Sequence, residues 1–322
     1  MYGMLPVFEP FLRSTQAHVA YNAASTLKVS NLDDYYERLL LDDRIVSLVS
    51  RLAAWPGPVL SSHKSAQQFF HILAFVADLG LSVEYPGVRD VIQKVLSCRD
   101  EEGIPCLPMN IGKAYGGNGG EIRAWALCDA PTTMYALLKL GFIDEGLRQA
   151  VHYLSGKTID RGWPCVVSKE LGSWRGPGKK TDPCPYATLI MTKLLIQSDP
   201  AGYADKIRHG ADCLLDLWEN SLDQHPYIFY MGNDFRKLKL PFIWYDILHV
   251  VEVLSRIDSC WSDRRFLQMV ELINAKGTTG IGFVPESVYQ VWKDWDFGQK
   301  KKPSEWMAFC VARINARKPA RP

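Results

Sequence analysis

Glu102-Gly103-Ile104-Pro105, Arg161-Gly162-Trp163-Pro164 and Thr279-Gly280-Ile281-Gly282-Phe283 are three versions of one loop. Each follows a stretch with helical apolar periodicity. The glycines at 103, 162 and 280 lie 59 and 118 residues apart, the second spacing twice the first. The skipped unit carries His225-Pro226-Tyr227-Ile228-Phe229 where a degenerate copy falls. Each unit reads as helix, Gly-aromatic or Gly-Pro turn, long loop, helix. A lone helix hairpin cannot bury its apolar face, so a repeat of this length implies stacked hairpins that share a core. Open stacking gives a solenoid; closure gives an α/α toroid.

Working outward, the apolar residues recur with a helical period over 63–80, 86–98, 125–142, 145–156, 184–197, 204–219, 241–257, 262–275 and 303–316. No alternating strand series stands out. Short extended pieces are expected near Pro105–Leu107, Trp163–Val167 and Tyr227–Tyr230. The stretches 184–197 and 241–257 are apolar around most of their circumference, as inner helices of a closed ring are. Those at 86–98, 145–156, 204–219 and 262–275 carry charged faces, including Arg89, Asp90 and Lys94, as outer helices do. The expected fold is all-α: an α/α toroid of inner and outer helix pairs. It forms a single domain over 1–322, with the hairpin repeats in 61–322. Residues 1–60 wrap or cap the ring, and Leu39–Leu52 reads as one amphipathic helix within them.

Of the 322 residues, 47% are hydrophobic, ample for a large core. The formal net charge of +2 gives no general attraction to nucleic acid or membrane. No apolar run reaches the ~18–20 residues a bilayer-spanning helix needs. The stretch MYGMLPVFEPFLRS lacks the basic end and unbroken apolar core of a signal peptide, because Pro6, Glu9 and Pro10 interrupt it. Eight cysteines in a chain this long are expected to be free thiols, and a cytoplasmic location follows from that reading.

In a toroid the loops before the inner helices share one mouth. These loops hold His63; Cys128-Asp129; Arg175, Lys179, Lys180, Asp182 and Cys184; Asp234, Arg236, Lys237 and Lys239; and Lys300 to Lys302. The basic residues, with helix N-termini behind them, suit a phosphate or diphosphate, although lysine runs are commonly just solvated. Asp182 and Cys184 stand two apart at a helix start, and Asp246 and His249 one turn apart on the next inner helix. Carboxylate, thiolate and imidazole are zinc ligands, and three of them leave a fourth position open. The plainer readings are that Asp182 caps a helix, Cys184 is a packed thiol and His249 is a hydrogen-bonded core residue.

The segment from Arg175 to Tyr186 resembles the β subunit of protein prenyltransferases. There a lysine three before an aspartate, then Asp-x-Cys and a tyrosine, open an inner helix of an α/α toroid. Lys179, Asp182 and Cys184 fit that spacing; Arg175 and Tyr186 are each displaced by one residue. The resemblance implies that Asp182 and Cys184 bind zinc with Asp246 or His249. It also implies that Arg175, Lys179 and Tyr186 hold a prenyl diphosphate. The Gly-Trp turns resemble those of squalene–hopene cyclases. The cyclase Asp-x-Asp-Asp acid is absent, and Asp294-Trp295-Asp296-Phe297 is the nearest string. The prenyltransferases also need a helical partner subunit that this chain does not supply.

The leading expectation is therefore a prenyltransferase- or terpene-cyclase-like enzyme, with Zn2+ as its metal. A small hydrophobic substrate with an anionic head would sit in the cavity against His63, Arg175, Lys179, Tyr186, Arg236, Lys237, Trp244 and Tyr245. Catalysis would use Asp129, Asp182, Cys184 and Asp246. A second expectation is a metal-independent lyase or isomerase in which Cys128, Asp129, Cys165 and Cys184 gather as an acid–base set. A third is a toroid that binds a ligand without turnover. Gly116–Gly120 lacks the lysine and preceding strand of a phosphate loop and reads as a flexible rim loop or lid. Trp125, Trp163, Trp174, Trp244, Trp292, Trp295 and Trp306 either line a cavity or pack in the core.

Overall fold

The computed structural model describes residues 5–117, 119–174, 181–221, 223, 230–278 and 282–319. Helices dominate it. In chain order they are α1 (Ala17–Leu27), α2 (Leu32–Leu40), α3 (Asp43–Leu52), α4 (Phe69–Asp78), α5 (Val88–Leu96), α6 (Ala130–Lys139), α7 (Glu145–Ser155), α8 (Pro185–Ser198), α9 (Ala204–Glu219), α10 (Ile247–Leu254), α11 (Arg264–Asn274) and α12 (Glu305–Ala316). Among the described residues the sheet is one antiparallel pair, β1 (Leu107–Asn110) with β2 (Glu121–Ala124), in the register Leu107↔Ala124. The segment Gly116–Gly120, expected as a rim loop, belongs to the connection between these strands; Asn118 lies outside the described residues.

The chain divides into two compact units, Leu48–Met231 and Met1–Ser47 with Gly232–Pro322. In the first, α4 packs on α6 and α6 on α8, while α7 and α9 pack against α8. All ten residues of α4 are buried, as are the first eleven of α8. The outer helices bury one stripe each: Val88, Val91, Ile92 and Val95 on α5; Leu147, Ala150, Val151 and Leu154 on α7; Ile207, Ala211 and Leu214 on α9. That three-and-four spacing is the face a helix turns to a core. Each fully buried Leu, Ile or Phe contributes about 1.5–3 kcal/mol.

Two of the repeat glycines show why the loops need them. Gly103 has φ +78°, and a Cβ there would lie 2.8 Å from the Gly146 carbonyl oxygen at the start of α7. Gly162 has φ +65°, and a Cβ there would lie 2.6 Å from Thr188 Oγ1 on α8 and 2.8 Å from Cys213 Sγ on α9. Both loops press backbone against a helix at a left-handed residue, where only glycine is unstrained. Thr279–Ile281 and His225–Phe229 lie outside the described residues.

In the unit built from both chain ends, α10 packs on α11 and α12. α12 also meets α1 and a 3-10 segment, Leu5–Arg13. The expected Leu39–Leu52 helix is two helices. Asp42 accepts the Arg44 backbone N–H at 3.0 Å and pairs with its guanidinium at 2.6 Å, and this local cap starts α3 afresh. Trp163, Trp292 and Trp306 are core side chains, and Trp125 and Trp295 are nearly as buried; Trp174 and Trp244 are half-buried. Among the described residues no helix is long and apolar enough to cross a membrane. All eight cysteines are free thiols.

Candidate functional site

In the Leu48–Met231 unit, residues from three distant loops are held at the starts of α4, α6 and α8. The helix expected from residue 63 begins at Phe69, which leaves His63 in a turn before it. His71, one turn into α4, donates from Nε2 to the His63 carbonyl at 2.7 Å and so fixes that turn. Burial drives the His71 imidazole down to about 3, so it is a neutral donor. His63 Nε2 lies 2.8 Å from Asp129 Oδ2. The Asp129 side chain is fully buried, and that of His63 is 12% exposed. Asp129 does not cap α6 through its side chain; its carboxylate accepts the Ala126 N–H and the His63 ring N–H. Burial raises its pKa, and these two donors act against that rise. With Nε2–H given to Asp129, the lone pair of the His63 ring is on Nδ1. Trp174 stacks on His63 at 6.4 Å and 23°.

Cys128 and Cys184 add two interacting thiols. Cys184, not Asp182, is the N-cap of α8: Pro185 starts the helix, and Cys184 Sγ accepts the Ala187 N–H at 3.5 Å. The Cys184 N–H is tied to the Trp163 carbonyl at 2.7 Å, which locks the sulfur at the helix start. A hydrogen bond from the Cys128 thiol, with the Ala187 and Tyr186 N–H groups, lowers the pKa of Cys184. Cys128 is raised in turn, by donating to Cys184, by burial, and by the nearby charges of Cys165 and Asp129. Within the pair, Cys184 is thus the sulfur that gives up its proton more readily, and Cys128 the one that keeps it. Of the expected set, Cys128, Asp129, Cys184 and His63 are together here, and Tyr186, the second residue of α8, is buried. Asp182 is half-buried. Arg175 and Lys179 lie outside the described residues.

An open cleft of about 630 Å³ lies in the same unit, with Arg99, Asp100, Arg123, Trp125, Tyr153 and Glu170 among its walls. The Leu127 N–H bonds the Val166 carbonyl at 2.9 Å, joining the cleft wall to the Cys128-Asp129 turn. Sequence reasoning missed this cleft, because its walls come from the β hairpin and from loops without periodicity.

The unit of the two chain ends holds a different group. Asp246 caps α10, with Oδ1 accepting the His249 N–H at 3.0 Å, and its Oδ2 is buried without a hydrogen-bond partner. Burial raises its pKa to about 7, against the pull of Lys239. Burial and the nearby charges of Asp246 and Asp234 push the Tyr289 phenol up; nothing in the sequence around Tyr289 marks that environment. His249 Nδ1 meets the Trp244 carbonyl at 3.0 Å, and its ring stacks on Phe242 at 5.1 Å. Lys237 and Lys239 pair with Asp234 at 3.3 and 3.7 Å. Arg236 and Trp244 are half-buried and Tyr245 is buried.

Among the described residues no three His, Cys, Asp or Glu side chains are grouped to hold a metal ion. Of the expected zinc set, Asp182 and Cys184 belong to the Leu48–Met231 unit, and Asp246 and His249 to the other. Cys184 and Asp246 serve as helix caps, and His249 is bonded within its own loop. No family model matches this sequence, and no curated protein matches it.

Proposed function

We propose that this chain is a metal-independent acid–base enzyme, an isomerase or lyase acting on a small molecule at the Asp129–His63 pair. The observation that carries this reading is the 2.8 Å contact between a fully buried carboxylate and a part-exposed imidazole. Asp129 orients the ring and stabilises the imidazolium that forms when Nδ1 takes a proton from substrate. Cys128, whose thiol is held above its usual range, supplies a proton on the return step. Trp174 shields one face of the imidazole from water. A proton removed and returned elsewhere on the substrate is an isomerisation; loss of a leaving group instead is an elimination.

The α/α ring is part of the same proposal. Each unit taken by itself has the helix-on-helix layering that such a ring requires, and the loop repeat in the sequence points the same way. The zinc-dependent prenyltransferase-like reading draws less support. Cys184 and Asp246 act as helix caps, and its basic Lys237 is engaged by Asp234.

The test is deuterium incorporation from heavy water into a panel of small carbonyl and hydroxy acids, read by mass spectrometry. Exchange should persist in EDTA, stop on thiol alkylation and fall at least ~100-fold in His63→Gln. Exchange that needs added metal, or that His63→Gln leaves unchanged, sinks the proposal. Tight retention of a ligand without turnover would favour a binding role instead.

A further inference from the structure

Cys98 and Cys106 both line the 630 Å³ cleft, away from the Cys128–Cys184 pair. The backbone sets them opposite each other. Arg99 and Pro105 form an antiparallel bridge, with the Cys106 N–H to the Cys98 carbonyl at 2.7 Å and the Asp100 N–H to the Ile104 carbonyl at 3.0 Å. Cys98 and Cys106 adjoin this bridge and share one hydrogen bond, since the Cys98 N–H turns back to the Val95 carbonyl at 3.1 Å. A direct backbone hydrogen bond between two residues keeps their Cα atoms about 5–6 Å apart, inside the roughly 4.4–6.8 Å window that a disulfide spans, and both residues line the same cleft. The two thiols differ in access. Cys98 is half-buried, and Arg123 Nη1 lies 2.7 Å from its sulfur, so a charged sulfur there has a counter-ion in contact. Cys106 is buried, its thiol donates to the Ile104 carbonyl, and burial pushes it up to about 12.

We infer that Cys98 and Cys106 are a redox pair, in which Cys98 is oxidised by hydrogen peroxide entering the cleft and Cys106 closes the disulfide. The Cys98 thiolate attacks one peroxide oxygen. The O–O bond breaks, and the departing oxide leaves as water once protonated. The Cys106 sulfur then attacks the Cys98 sulfenic acid. The S–S bond forms, the S–O bond breaks, and hydroxyl leaves with the Cys106 proton as a second water. Two thiols give up two electrons, and one peroxide becomes two waters. The product staples the Cys98–Cys106 turn and changes the wall of the cleft.

The experiment treats the full-length protein with hydrogen peroxide, blocks free thiols and maps tryptic peptides without reduction. Oxidation should yield a disulfide joining peptide 95–99 to peptide 100–113, and dithiothreitol should abolish it. Cys106→Ser should instead leave Cys98 as a dimedone-reactive sulfenic acid, and Cys98→Ser should leave Cys106 unoxidised at the same dose. The inference is overturned if Cys106 remains a free thiol while Cys98 oxidises, if Cys106 reacts normally in Cys98→Ser, or if Cys128–Cys184 is the only disulfide formed. These results are independent of the fate of the Asp129–His63 proposal.

Discussion

Asp246 is a carboxyl group placed where its charge is costly. Its Oδ2 is buried without a partner, and burial lifts its pKa from 3.8 to about 7. The folded chain therefore holds a proton that the unfolded chain gives up. The stabilising contribution of that proton is fully present below pH 3.8, and it is lost as pH rises toward and through 7. Asp246→Asn is neutral at every pH and can still accept the His249 N–H. Urea unfolding should show this variant close to wild type at pH 4 and more stable at pH 8, by about 1–4 kcal/mol. An equal stability difference at both pH values would mean that another group titrates. At Gly162 the constraint is steric. Alanine there meets Thr188 Oγ1 and Cys213 Sγ at φ +65°. Gly162→Ala should cost about 1–3 kcal/mol or more, read as a lowered midpoint in thermal unfolding.

Helix ends decide where the candidate site lies, and there sequence and structure part. Every helical stretch expected from periodicity has a counterpart, yet those expected from 63, 125 and 241 start at Phe69, Ala130 and Ile247. Apolar character runs straight through the preceding loops, at Trp125-Ala126-Leu127 and Phe242-Ile243, and periodicity cannot separate a buried loop from a buried helix. What holds the first loop extended is tertiary: Leu127 N–H to the Val166 carbonyl, and Ser168 N–H to the Trp125 carbonyl. The residue types of the site, His63, Asp129 and Cys184, were legible at loop ends. Their contacts were not, because the Asp129–His63 partners are 66 residues apart in sequence. Local caps were within reach of sequence reasoning. Asp144 accepts the Leu147 N–H at 2.7 Å at the start of α7 and also holds Arg99 at 2.7 Å. Asp144→Ala should cost about 1–2 kcal/mol by chemical denaturation, and Asp144→Asn, which keeps the cap but loses the part-buried ion pair, should recover the cap's share of it.

At the scale of the whole chain, each unit has a core of its own, and the two are assembled differently. Leu48–Met231 is continuous and uses the repeat: one hairpin is covered by the next. The other unit needs both ends of the sequence, and aromatic side chains join them. Phe8 and Phe11 meet Phe309 on α12 at 5.7 and 5.5 Å, and Trp306 stacks on Phe309 at 5.6 Å. His18 lies edge-on between Trp295 and Trp306, and burial lowers its pKa to about 3. Removing the Phe309 ring takes away the surface shared by the Leu5–Arg13 segment and α12. Phe309→Ala should therefore destabilise this unit by about 3–5 kcal/mol. Hydrogen exchange followed by mass spectrometry locates the loss. Protection should fall in α1, α10 and α12, while α4, α6 and α8, which pack on one another within Leu48–Met231, keep theirs. An equal fall in both sets would mean that the chain unfolds as one cooperative body, and that the division into two cores has no thermodynamic counterpart.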